Sequence, residues 1–156
     1  MKTRSLALAP FLMMAFVCSA QSAGVTGEWR GIWTNPAGSV FTAQMTLDAG
    51  PGCKTCAVLG SSSIRGKILW TLRKAGPNAP PELAAQVGTT ATELVKGEMK
   101  GEALLVLNGY ETDDPNHIRP ADQYRLAVSD NGKVVGGITF NGGSWTGQFI
   151  ALRPQP

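Results

Sequence analysis

The sequence is poor in the residues that carry most hydrolytic and metal chemistry. It has a single histidine, His117, and three cysteines in 156 residues. It contains neither a Gly-x-Ser-x-Gly segment nor a His-Glu-x-x-His segment, so the usual nucleophile and zinc-ligand arrangements are missing. Catalysis through His117 would also need a nucleophile and an orienting acid beside it. We therefore expect a protein that binds rather than catalyses, without a cofactor or a metal; an enzyme of unrecognised type is the second alternative.

Long apolar runs are missing as well, except at the N-terminus. Lys2 and Arg4 precede an apolar run that ends in small residues at Ala20, which is typical of a secretion signal. The run is shorter than the roughly 20 apolar residues that a transmembrane helix needs. We expect residues 1–20 to be a cleaved signal peptide and the protein to be periplasmic or secreted. Residues 21–156 then form one domain with no stable membrane insertion.

The net charge of the chain belongs mostly to this leader. Cleavage before Ala23 or Gly24 is the alternative, and each site removes both leader cations. Without Lys2 and Arg4, 12 basic residues face 11 acidic ones, and the net charge falls from +3 to +1. The charge balance therefore points to neither nucleic acid nor an anionic membrane as a partner.

Two cysteines remain after cleavage, Cys53 and Cys56, in a segment that follows Gly-Pro-Gly. An oxidising compartment favours a disulfide between them. A redox-active pair needs a following helix that lowers the thiol pKa, whereas residues 57–59 are Ala-Val-Leu and favour a strand. We expect a local structural disulfide that sets the shape of a loop and adds little stability because the loop is short. A redox or metal-binding pair is the alternative.

Helical periodicity is missing from the mature chain, where apolar and polar residues alternate at a period of two and glycines separate short segments. Turn sequences at 130–132 and 141–143 predict hairpins near the C-terminus. At most one turn of helix is expected, near 82–87. The predicted antiparallel strands lie at about 26–34, 39–48, 62–73, 89–99, 102–110, 122–129, 133–140 and 144–153.

The first and last predicted strands carry the same pattern, Gly-x-Trp-x-Gly-x-aromatic, at 27–33 and 143–149. In an up-and-down barrel these two strands are neighbours, and closure removes exposed edges. Glycines within the strands leave room for the indoles. We predict an all-β fold, a single eight-stranded antiparallel up-and-down barrel, with an open β-sandwich of the same strands as the alternative. Eight strands enclose enough space for side chains or for one small ligand.

Gly27-Glu28-Trp29 at the start of the first strand and Thr34-Asn35 at its end, within a meander of this length, resemble the small secreted calycin-type barrels. These are the avidin-like and lipocalin-like proteins, and the resemblance implies a barrel whose mouth takes up a small molecule. The outline is also similar to the periplasmic barrel inhibitors of metalloproteases and of lysozymes, which implies a protein partner instead.

Aromatic side chains at core-facing strand positions are the candidate ligand-binding residues, with packing as the alternative reading of each. We expect the last of them to share the inner face of its strand with Gly147 and Phe149. The candidates are Trp29, Trp33, Trp70, Tyr124 and Trp145.

The longest polar loop, 111–122, is the second candidate region, since loops on a rigid scaffold often carry function. Its acidic and amide oxygens suit calcium, but the EF-hand spacing is absent, so we favour a solvated loop in which Asp and Asn side chains cap turns. The candidate contact residues are Asp113, Asp114, Asn116, His117, Arg119 and Asp122.

The sequence thus predicts a non-catalytic binding protein that takes a small molecule at the barrel mouth or loops. The first alternative is a periplasmic inhibitor or immunity-type protein that binds another secreted protein through loops 50–56 and 111–121. A carboxylate pair such as Asp113 and Asp122, acting on a glycan, is the basis of the enzyme alternative.

Overall fold

The computed structural model describes residues 24–49, 63–141 and 143–155. The predicted signal peptide and the predicted Cys53–Cys56 disulfide lie outside these residues, and so does the loop 50–56. The described residues form eight strands and one short helix. The elements are β1 (Gly27–Thr34), β2 (Val40–Ala49), β3 (Ser63–Lys74), α1 (Pro81–Ala84), β4 (Thr90–Lys100), β5 (Leu104–Asp113), β6 (Gln123–Val128), β7 (Val134–Asn141) and β8 (Ser144–Leu152).

Each strand pairs antiparallel with its neighbour in sequence, and β1 also pairs with β8, so the sheet closes into a barrel. This arrangement confirms the predicted eight-stranded up-and-down barrel and excludes the open sandwich. It is consistent with a calycin-like architecture. No helix among the described residues is long and apolar enough to span a membrane.

Two glycines of the repeated pattern make the closure possible. At the β1–β8 seam, a Cβ on Gly31 would lie 2.7 Å from the carbonyl oxygen of Ile150. On β8, a Cβ on Gly147 would lie 2.7 Å from Nε1 of Trp33. Both glycines therefore allow a close approach that a larger residue would prevent, as the sequence pattern predicts.

The barrel interior is filled by side chains. Ile68, Trp70, Leu72, Leu107 and Tyr124 have no exposed surface. A side chain that lined a hollow large enough for water would expose surface to it, so no such hollow adjoins these five residues. Edge-to-face contacts between aromatic rings link Trp33 to Phe41, Phe41 to Trp70, and Phe149 to both Trp70 and Tyr124.

An arginine after β8 closes one end of the barrel, which we call the base. The guanidinium of Arg153 lies 4.5 Å from the ring centre of Trp29. It donates to the carbonyl oxygens of Gly132 at 2.7 Å and Thr26 at 2.9 Å, and also to that of Gly24. The indole Nε1 of Trp29 donates to the carbonyl of Val25 at 2.9 Å. Trp29 is thus a packing residue at the base.

Trp145 does not share the inner face of β8, and the expectation that it does is wrong. The register of β7 and β8 shifts between Thr139 and Asn141, so the alternation of faces changes phase there. The ring of Trp145 lies 5.4 Å from that of Phe140, and the exposed Arg125 stacks over it at 4.5 Å. Trp145 therefore belongs to the outer surface.

Candidate functional site

The end of the barrel opposite the base, which we call the mouth, is covered by the β5–β6 loop, residues 114–122. Ile118, Arg119 and Asp122 of this loop are buried, with 6%, 2% and 1% of their surface exposed. Asn116 and His117 are exposed. This loop, although polar in sequence, therefore sends part of its chain into the barrel.

A turn within the loop aims Arg119 inward. Oδ2 of Asp114 accepts from the backbone N–H of Arg119 at 2.6 Å, and the Asp114 carbonyl accepts from the N–H of His117 at 3.1 Å. His117 has a φ of 52°, in the left-handed region that reverses the chain here. Residues 114–119 thus form a turn closed by its own hydrogen bonds.

The Arg119 guanidinium occupies an aromatic cage formed by Trp33, Phe41 and Trp70. Its central carbon lies 3.9 Å from the ring centre of Trp70, 4.2 Å from that of Trp33 and 5.2 Å from that of Phe41. Trp33 is held in place because its Nε1 donates to Oγ1 of Thr139 at 2.7 Å. A desolvated cation over such a ring gains up to about 2 kcal/mol.

Arg119 also forms a buried ion pair with Asp122. Nη2 of Arg119 lies 2.6 Å from Oδ2 of Asp122, and the two side chains are 2% and 0% exposed. The Nε of Arg119 is buried and has no hydrogen-bond partner. The ion-pair partner of the cage cation thus belongs to the same loop.

Glu93, on the inner face of β4, belongs to this cluster but is not among the residues predicted from the sequence. Its Oε2 accepts from Nε1 of Trp70 at 2.9 Å and from the hydroxyl of Tyr124 at 2.5 Å, and its Oε1 accepts from the N–H of Asp122 at 2.8 Å. A Cβ on Gly109 would overlap this carboxylate. The available signal was alternation, which places Glu93 on the same face as the neighbouring core residues of its strand.

Burial dominates the electrostatics of this cluster. It raises the pKa of Glu93, against the opposing effects of the Arg119 charge and of the hydrogen bonds that the carboxylate accepts. Burial and then the Glu93 carboxylate raise the pKa of Tyr124 well above its usual value. The phenol is therefore a stable donor at physiological pH. Two buried carboxylates, of Glu93 and Asp122, accompany one buried guanidinium.

The structure brings together five of the predicted site residues and separates the others. Trp29 lies at the base, Trp145 lies on the outer surface, and Asp114 shapes the turn. Asp113, Asn116 and His117 are exposed. The five residues that converge at the mouth are Trp33, Trp70, Arg119, Asp122 and Tyr124.

The arrangement suits binding of a cation more than acid–base chemistry. Glu93 and Asp122 are almost fully buried, and their hydrogen bonds go to neighbouring protein groups. Within residues 24–49, 63–141 and 143–155, no three His, Cys, Asp or Glu side chains are grouped to hold a metal ion. A groove of about 370 Å³ lies elsewhere, along the outer side of β3, β4 and β5.

Comparison with protein-family models, with curated proteins and with solved structures finds no match for this chain.

Proposed function

We propose that the protein is a non-catalytic, periplasmic or secreted binding protein that takes a small molecule into the barrel mouth, beneath the β5–β6 loop. The observation that carries the proposal is the aromatic cage of Trp33, Phe41 and Trp70, which is occupied by a residue of that loop. Such a role resembles that of avidin-like and lipocalin-like carriers.

The hydrogen bonds of the loop support a role as a lid. The bonds that shape residues 114–119 lie within the loop itself. Its bonds to the strands are at its C-terminal end, where the N–H of Asp122 donates to Glu93 and its carbonyl accepts from the N–H of Gly109 at 2.7 Å. On this proposal the turn lifts from the mouth as a unit and carries the buried Ile118 and Arg119 with it while Asp122 stays attached, which exposes the cage.

Tryptophan fluorescence tests this proposal directly. A panel of sugars, biotin, flat aromatic molecules and organic cations would be titrated against the mature protein. We expect at least one saturable change in emission that is lost in Trp33→Phe and kept in Trp145→Phe, since Trp145 lies on the outer surface. No change in emission with any molecule of the panel, or a change that depends on Trp145 instead, would contradict the proposal.

A second candidate function is binding to another secreted protein through the outer face of β7, β8 and β1. Four aliphatic side chains there are about half exposed, and Ile32 lies directly opposite Ile150 across the β1–β8 seam. Arg30 and Arg125 flank this apolar face, which favours a partner with an apolar contact surface and an acidic rim. The four residues are Ile32 at 48%, Ile138 at 42%, Ile150 at 54% and Leu152 at 53% exposed.

The matched variants for this second candidate are Ile150→Asp on the face and Leu104→Asp on the distant outer side of β5, where Leu104 is 38% exposed. A genuine partner is captured by the wild type and by Leu104→Asp but not by Ile150→Asp. Equal capture by all three proteins would exclude this face as the binding surface.

A further inference from the structure

We infer that the ligand of the mouth is a small planar organic cation of the guanidinium or amidinium class, and that Arg119 occupies the ligand's place in the closed state. The inference rests on the proposed function, because it names the ligand class of the same site. The buried guanidinium serves as an internal ligand of the cage, and another group can replace it when the loop lifts.

The shape of the cage suits a flat, delocalised cation. The guanidinium carbon lies within 4.2 Å of two indole ring centres, and Phe41 adds a third ring at 5.2 Å. A guanidinium or amidinium group is planar and weakly hydrated, so it gives up water for ring faces more readily than a compact ammonium does. The site therefore favours planar cations over alkylammonium ions.

The charges around the cage select for a positive ligand. Glu93 and Asp122 are each 1% exposed, and both stay at the barrel wall if only residues 114–119 lift. Removal of Arg119 would take away the ion-pair partner of Asp122 and the positive charge that lowers the pKa of Glu93, which is unfavourable in a buried site. A cationic ligand restores that charge, whereas a neutral or anionic one does not.

In the closed state some buried polar atoms lack hydrogen bonds, which favours the exchange of Arg119 for a ligand. The Nε of Arg119 and the Oδ1 of Asp114 are both buried without a hydrogen-bond partner. Opening exposes both atoms to water, so part of the cost of displacing Arg119 is recovered. A free ligand can also orient its N–H groups without the constraint of the loop.

Rescue of a vacated cage by a small cation tests the inference. Arg119→Ala removes the internal guanidinium, and Arg125→Ala removes the matched cation that stacks on Trp145 at the outer surface. The probes are methylguanidinium and benzamidinium at millimolar concentration, with methylurea and benzamide as neutral analogues of the same shape. Tryptophan emission and the thermal midpoint are the two readouts.

We expect Arg119→Ala to bind the cations saturably and at least tenfold more tightly than the wild type, where they compete with Arg119. Both cations should raise its thermal midpoint, and the neutral analogues should not. Arg125→Ala should behave as the wild type does. Equal binding of cations and neutral analogues by Arg119→Ala, or no binding of the cations, overturns the inference.

The outcomes separate the inference from the proposed function. If the cations do not bind but a neutral molecule gives a Trp33-dependent signal, the mouth is a site for another class of ligand, and only the inference is wrong. If Arg119→Ala does not fold, the wild-type titration decides, since a Trp33-dependent signal from benzamidinium but not benzamide is still required. If no molecule of either kind binds, both fall.

Discussion

Replacement of Glu93 by glutamine tests whether the buried cluster at the mouth has the hydrogen bonding described above. The carboxylate accepts from the indole of Trp70, the hydroxyl of Tyr124 and the backbone N–H of Asp122. Glutamine keeps the size but replaces one acceptor oxygen by a donor. If the amide nitrogen takes the Oε1 position it meets the N–H of Asp122, and if it takes the Oε2 position it meets the indole N–H.

The magnitude follows from that conflict. The Tyr124 hydroxyl can rotate and accept, but an N–H cannot, so one buried donor loses its acceptor in either orientation. Such a loss costs about 1–3 kcal/mol, and the removal of a poorly solvated charge offsets part of it. We expect Glu93→Gln to lower the free energy of unfolding by about 2 kcal/mol at neutral pH, or the thermal midpoint by roughly 6–10 °C.

The assay is urea unfolding of both proteins across pH, with Glu98→Gln as the control. Glu98 lies on the same strand in a partly exposed ion pair with Lys100, with side chains 39% and 56% exposed, so its loss should change stability by less than about 0.5 kcal/mol. A Glu93→Gln effect no larger than that of the control would refute the described cluster.

The pH dependence has a definite sign. Burial raises the pKa of Glu93 above its usual value of 4.5, so the group stabilises the folded state most when it is protonated. That contribution is fully present below about pH 4.5 and is lost as the pH rises through the raised pKa. The stability deficit of Glu93→Gln should therefore be largest in acid and shrink toward neutral pH. A deficit that grows with pH would show that ionised Glu93 is the stabilising form.

Two further predictions concern the barrel itself. Gly137→Ala should destabilise by about 1–3 kcal/mol in urea unfolding, because the new Cβ would overlap the carbonyl oxygen of Arg125. The neighbouring Gly136→Ala leaves its Cβ 3.5 Å from the nearest atom and should be the milder change; the reverse order would contradict the close approach of β6 to β7 at Gly137. Arg153→Ala should lower the free energy of unfolding by roughly 2 kcal/mol, because the stacking on Trp29 and the hydrogen bonds are lost. Arg153→Lys should recover little of that stability, and full recovery by lysine would mean that charge alone matters.

Most of the fold was predictable because strands of alternating polarity have a strong sequence signal. Each of the eight predicted strands overlaps an observed strand, and the repeated glycine and tryptophan spacing correctly indicated the β1–β8 closure. The largest boundary error is in β5, which extends to Asp113. Residues 111–113 are polar and exposed, yet they pair with β4 beyond a register shift, and polarity alone cannot reveal such pairing.

The site was only partly predictable, for two physical reasons. Alternation places Glu93 inside, but a carboxylate is costly in a core unless donors meet it, and those donors come from other strands. The phase change that turns Trp145 outward arises from a bulge between β7 and β8, which leaves no clear mark in the sequence. In the first case the deciding contacts join segments that are distant along the chain, whereas in the second they lie within a single hairpin.

The two arginine–tryptophan contacts at opposite ends of the barrel explain why we assign opening to the mouth. At the base, Arg153 donates to three backbone carbonyls as well as stacking on Trp29, so strand ends are tied together by hydrogen bonds. At the mouth, Arg119 stacks on rings, and its ion pair is with Asp122 of its own loop. Stacking contacts depend less on direction than hydrogen bonds do, so they hold the loop less firmly against lifting. Amide hydrogen exchange should therefore be faster in residues 114–119 than around the base, and the opposite order would place the opening at the other end.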